Sequence, residues 1–119
     1  MTQFKEVKKM FGNKMNQIAR CVKKQHALPV VKLTESKKKD VALAAVAALG
    51  KIGGEEAYNA LITLLRHGDA AMRETAVRAL GERRDGKAKV HLMHMEKTEP
   101  DAQVLCAIRE TVGKLQNKD

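Results

Sequence analysis

The apolar positions of this chain recur on two scales. Within a segment they fall three or four residues apart, and the segments themselves return after 31 or 32 residues. Asp69 to Gly81 reads D-A-A-M-R-E-T-A-V-R-A-L-G, Asp101 to Gly113 reads D-A-Q-V-L-C-A-I-R-E-T-V-G, and Lys38 to Gly50 reads K-K-D-V-A-L-A-A-V-A-A-L-G. Aligned on their glycines, they place Val41, Met72 and Val104 in one row, Val46, Val77 and Ile108 in a second, and Leu49, Leu80 and Val112 in a third. Spacing of three and four is one face of an amphipathic helix. A repeat of this length is a stacked helical hairpin. Each segment is then the first helix, A, of a hairpin, followed by a turn (Lys51 to Gly54, Glu82 to Gly86) and a second helix, B, over about residues 55–67 and 87–97. The B helices also superpose: Ala57 on Ala88, Leu61 on Leu92, Leu64 on Met95. The glycine ending each A helix predicts a left-handed residue there, cheap only without a Cβ. Asp69 and Asp101 are placed to cap the next A helix.

The first third is less regular. Phe4, Val7, Phe11, Met15, Ile18 and Val22 are spaced 3, 4, 4, 3 and 4, one helical stripe. Gly12-Asn13 predicts a break in it, giving two helices. Pro29 suits the first turn of another short helix carrying Val30, Val31 and Leu33, since the missing N–H has no partner there. Leu33 falls one period before Leu64, so this segment reads as a divergent first repeat, closed by a charged hinge at residues 35–39. The expected fold is all-α: a single domain over 1–119, a short right-handed α-α superhelix (solenoid) of eight helices. Residues 1–37 form an irregular basic N-terminal cap and 38–115 the regular repeats. Three aromatics, no Trp and Ala-rich apolar faces agree with close helix packing rather than a sheet.

On these residues the chain resembles HEAT-like repeats of the kind first named in bacterial phycobilisome-lyase proteins, whose pattern is D-x-x-V-R-x-x-A-x-x-A-L-G-x-I-G. Asp69, Met72-Arg73, Ala76 and Ala79-Leu80-Gly81 match in one copy; Ala45, Ala48-Leu49-Gly50 and Ile52-Gly53 match in another. The resemblance implies an arginine–aspartate ladder between repeats. Here it has a single rung, because Ala42 and Leu105 replace the arginine beside Arg73, and Asp69 or Asp101 is the implied partner. A branch of this class that hydroxylates a modified lysine uses paired His-Glu dipeptides to hold iron. None occurs here.

Charge changes the picture in one respect. Net charge is +9, and residues 1–39 hold eleven Lys/Arg against Glu6 and Glu35, whereas residues 40–119 balance twelve against twelve. Such asymmetry bears on partners, not on fold. No apolar run approaches a membrane span, and the N-terminus lacks the apolar core of a signal peptide, so a cytoplasmic setting is expected. Cys21 and Cys106 sit on predicted apolar faces and read as buried free thiols.

Catalytic chemistry finds no support. His91 and His94 share a helix face, but a metal site needs further ligands, and none is near in sequence. There is no nucleophile elbow and no phosphate-binding glycine loop. No enzyme, metal or cofactor is expected.

Surfaces remain. In such arrays the B helices line the concave side, where the off-stripe residues Tyr58, Asn59, Thr63, Arg66, His91, His94 and Lys97 would form a groove. The expected function is non-catalytic binding of a protein or peptide there, with Tyr58 and Arg66 as anchors. The alternative is a nucleic-acid binder using Lys23, Lys24, Lys32, Lys37, Lys38 and Lys39. A membrane is disfavoured, because packing Phe4, Val7 and Phe11 on the repeats is the simpler use of that stripe. Leu105 and Cys106 on the last helix suggest a homodimer seam.

Overall fold

The computed structural model describes residues 2–116, with side chains described from Asn13 onward. Seven helices occupy them: α1 (Thr2–Lys24), α2 (Ala27–Leu33), α3 (Lys39–Leu49), α4 (Glu55–Leu64), α5 (Ala70–Arg83), α6 (Ala88–Glu96) and α7 (Ala102–Gln116). No strand occurs among the described residues. The A helices α1, α3, α5 and α7 pack in that order along one side, and the B helices α2, α4 and α6 follow on the other, each packed against the next A helix or its own. The result is an elongated array of 49 × 29 × 22 Å. This is the stacked all-α solenoid that the repeat period predicts.

The rows read from the sequence are the core. Val41, Met72 and Val104, then Val46, Val77 and Ile108, then Leu49 and Leu80 are at most 4% exposed, as are Leu61 and Leu92 of the B helices. Asp69 caps α5 by accepting from the N–H groups of Ala71 and Met72 (2.8 and 3.2 Å), and Asp101 does the same for α7 through Gln103 and Val104 (2.8 and 3.1 Å).

Two local expectations are corrected. First, there is no break at Gly12-Asn13: α1 is a single helix of 23 residues, which removes the eighth helix. An interior glycine costs only about 1 kcal/mol, and the apolar spacing crosses the pair without a phase shift, from Phe11 to Met15. Where Phe4, Val7 and Phe11 pack lies outside the described side chains.

Second, the repeat glycines are not left-handed caps. Gly50 has φ −66°, Gly81 lies inside α5 and Gly113 inside α7. Their role is close approach. A Cβ on Gly50 would sit 2.9 Å from the backbone of Ala79 on the next A helix, and one on Gly81 would sit 2.9 Å from Thr111 Cγ2 on the one after. The glycine is the slot that receives the following A helix. At Gly113, the last copy, nothing lies within 4 Å. The left-handed conformations fall in the A-to-B turns instead, at Gln25, Gly54 and Arg84.

Those turns are stitched from repeat to repeat. Gln25 donates to the Lys51 carbonyl (3.1 Å) and accepts from the Gly53 N–H (2.8 Å). Arg83 donates from the other side to the carbonyls of Ile52 and Gly54.

Candidate binding face

Because the B helices superpose at 31 residues, the side chains between their buried stripes form rows across the face. Leu28, Asn59 and Val90 make one row, Val31, Ile62 and Met93 a second, Lys32, Thr63 and His94 a third, and Glu35, Arg66 and Lys97 a fourth. Among the described residues three large apolar groups stand exposed, and all belong to these rows: Leu28 (59%), Val90 (73%) and Met93 (47%).

The face is not flat. Neighbouring A helices pack tightly, but α4 and α6 hardly touch, and a hollow of about 620 Å³ opens between them. Ile62, Leu65 and Met95 give it an apolar lining, with Arg66, His91 and His94 among its polar walls. A second hollow of about 740 Å³ lies between α2 and α4, lined by Val31, Ala60, Thr63 and Leu64 among others. Arg66 and His67 line both, so they form the partition.

The spacing of α4 and α6 is held from below by one buried ion pair. Arg73 on α5 meets Glu99 in the α6–α7 turn as a two-pronged fork, Nε to Oε1 at 2.9 Å and Nη2 to Oε2 at 2.8 Å. Their side chains are 14% and 2% exposed. The remaining Arg73 nitrogen donates to the carbonyls of His67 and Gly68, at 2.9 and 3.1 Å, and Glu99 also accepts from the Asp101 N–H. Arg73 thus ties the end of α4 to the start of α7. Its hydrogen bonds hold the Glu99 carboxyl below the usual carboxylate range, against the opposing effect of burial. This corrects the implied aspartate partner. Asp69 is used up in capping α5 and in a 3.0 Å contact with Lys39, and Asp101 in capping α7. Glu99 was missed because it sits in a turn, outside the helical pattern.

Of the residues assigned to the groove from sequence, Asn59, Thr63, Arg66, His91, His94 and Lys97 are exposed on the B-helix side. Tyr58 is not; it is 6% exposed and belongs to the core. Its ring is covered by Lys87 (4.3 Å from the centroid) and Arg83 (5.9 Å), and burial raises its pKa. A helical wheel puts Tyr58 beside the stripe, but the end of α5 and the turn after it fold over the start of α4 and widen what is buried. The exposed apolar groups of the face are instead Leu28, Val90 and Met93, which the 31-residue register relates to Asn59 and Ile62.

The six lysines of the basic third are spread over α1, α2 and the stretch leading into α3. Lys23 and Lys24 end α1, Lys32 is in the third row of the B face, and Lys37 and Lys38 lie in the turn before α3. Lys39 is engaged with Asp69. Cys21 is buried as expected, but Cys106 is exposed, its thiol 3.3 Å from Glu110, which raises its pKa. The outward side of α7 carries Arg109 paired with Glu96 (2.8 Å) and Glu110 paired with Arg78 (3.1 Å), with Leu105 half-buried. Among the described residues no three His, Cys, Asp or Glu side chains converge as metal ligands would, and no helix is long and apolar enough to cross a membrane.

A family model described as HEAT repeats matches residues 27–113, from the start of α2 almost to the end of α7. No curated protein matches the chain.

Proposed function

The chain belongs to the HEAT-repeat family, whose members generally serve as protein-interaction scaffolds, and on that premise we propose that its B-helix face is a non-catalytic docking surface for a protein segment. The segment presents apolar side chains flanked by carboxylates. The observation that carries this reading is the α4–α6 hollow: an open, apolar-lined cleft of about 620 Å³ beside exposed Val90 and Met93. Solvent-exposed Val and Met side chains gain about 25 cal/mol per Å² of apolar area when covered. A partner's apolar knob in the hollow is the contact that would release most. Its walls carry Arg66, His91 and His94, and among the described residues its one carboxylate, Glu99, is paired with Arg73, so acidic flanks on the partner are favoured. The concave curvature expected of such arrays would bring the rows toward one another around a bound segment. Rigid helices on a latched base need little reordering on binding, which preserves affinity.

The test is a peptide-display selection against the wild-type protein, with the enriched peptides then titrated against Val90→Glu/Met93→Glu. Both substitutions are at exposed sites and should leave the melting temperature within about 2 °C, since surface changes of this kind rarely exceed about 0.5 kcal/mol. The expected result is enrichment of acidic-apolar peptides that lose at least tenfold in affinity for the double variant. Peptides that bind both proteins equally would refute the assignment.

A further inference from the structure

We infer a second, independent site: the α1–α2 corner is a phosphate seat that docks the backbone of double-stranded nucleic acid. The corner holds a hollow of about 210 Å³ lined by Gln17, Arg20, Cys21, Lys24 and His26. Two cationic side chains, an imidazole and an amide converge there, and among the described residues no carboxylate lines it. Arg20, Lys24 and His26 are exposed, so an anion reaches them without rearrangement.

The cations of this corner are also unspent. The carboxylates of the later repeats are largely paired: Asp69 with Lys39, Glu99 with Arg73, Glu74 and Glu110 with Arg78, Glu55 with Lys87, Glu96 with Arg109. Arg20, Lys23, Lys24 and Lys51 have no ion-pair partner among the described residues. Lys51 is distant in sequence, but its backbone lies beside the corner, where Gln25 donates to its carbonyl across the two A-to-B turns. Lys23 and Lys24 close α1, where they also offset the helix dipole, but that interaction leaves their ammonium groups solvated.

The occupant follows from what surrounds the seat. On α1 the exposed residues beside Arg20 and Lys23 are Asn13, Asn16 and Ala19, while Ile18 and Cys21 are buried against the repeats. Among the described residues of α1 no large apolar group is exposed to enter a bilayer, so a lipid surface is the poorer fit. Single strands are held mainly by stacking on exposed aromatics, and the only aromatic side chain described, Tyr58, is buried. A duplex, gripped by its phosphates without reading of bases, fits both facts.

Fluorescence anisotropy with labelled 24-base-pair DNA and RNA duplexes tests this. Four phosphate contacts give a slope of about −0.9 each in log K against log salt, so wild-type affinity should fall about 150-fold between 50 and 200 mM salt. With Arg20→Gln/Lys24→Gln two contacts remain, and the fall should shrink to about 12-fold, with circular dichroism showing an unchanged fold. Lys114→Gln, exposed near the end of α7, should leave duplex binding unchanged. The inference is overturned by no binding at the lower salt, by a salt slope that the double variant leaves intact, or by weakening through Lys114→Gln. Tighter binding to a single-stranded oligonucleotide, or to phosphatidylserine vesicles at equal phosphate concentration, would overturn it equally.

Discussion

One substitution made at three equivalent positions should have three different outcomes. Gly50, Gly81 and Gly113 end the same motif, yet their surroundings differ. At Gly50 the added methyl would meet Ala79 Cα and O at 2.9 Å; this is backbone of a packed helix and cannot step aside. Forcing α3 and α5 apart is overpacking, typically about 1–3 kcal/mol, and helix propensity returns at most about 1 kcal/mol. Gly50→Ala is therefore destabilising by about 1–2 kcal/mol. At Gly81 the obstacle is the Thr111 methyl, also at 2.9 Å but at the end of a side chain. Rotation or a small shift relieves it, and the full propensity gain of about 1 kcal/mol leaves the net change near zero. Gly113 lies in α7 with nothing within 4 Å, so alanine should stabilise by about 0.5–1 kcal/mol. Since 1 kcal/mol moves Tm by about 3–6 °C in a chain of this size, Gly113→Ala should melt roughly 5–15 °C above Gly50→Ala. Far-UV circular dichroism melts, supported by urea midpoints with an unchanged slope, are sufficient. Equal destabilisation at all three sites is the signature of left-handed caps, and would refute the slot role.

Other consequences follow from the latch, the buried tyrosine and the turn staple. Arg73→Ala strands the Glu99 carboxylate in the interior and should cost about 3–5 kcal/mol in urea denaturation. Glu99 has a folded pKa below its unfolded value, so its contribution is present above the ordinary carboxylate pKa of about 4.3 and is lost as pH falls through the depressed value. The stability gap between wild type and Glu99→Gln, wide near neutrality, should close in acid; a gap that does not change with pH would contradict the pair. Tyr58→Ala should lower stability by about 3–5 kcal/mol as a core truncation, while Tyr58→Phe should leave binding of a selected peptide intact. Gln25→Ala removes two inter-repeat hydrogen bonds and should cost about 1–2 kcal/mol, read as earlier amide exchange in the α3–α4 turn.

The sequence made the stacking order legible because burial repeats with the chain: the row Val46, Val77 and Ile108 is the same core position met three times. Capping by Asp69 and Asp101 was legible for a similar reason, as a short-range bond between near neighbours. What crosses between repeats was not. Whether Gly50 turns a helix or admits Ala79 depends on a helix some thirty residues away, and both uses call for the smallest residue. The choice of Glu99 over Asp69 for Arg73 depends on the path of the α6–α7 turn, which no periodicity encodes. Tyr58 shows the same limit, since the wheel of α4 cannot know that Arg83 and Lys87 will close over it. The hollow between α4 and α6 is a property of helix separation, so only its lining could be anticipated, through Arg66, His91 and His94.

Recognition on the B-helix face at the α4–α6 hollow, as proposed, is tested most directly by backbone amide shift mapping with a selected acidic-apolar peptide. The largest changes should fall on Ile62 to His67 and on Val90 to Lys97, with the outward side of α7 silent. Changes centred on α7 or on the A helices would contradict it.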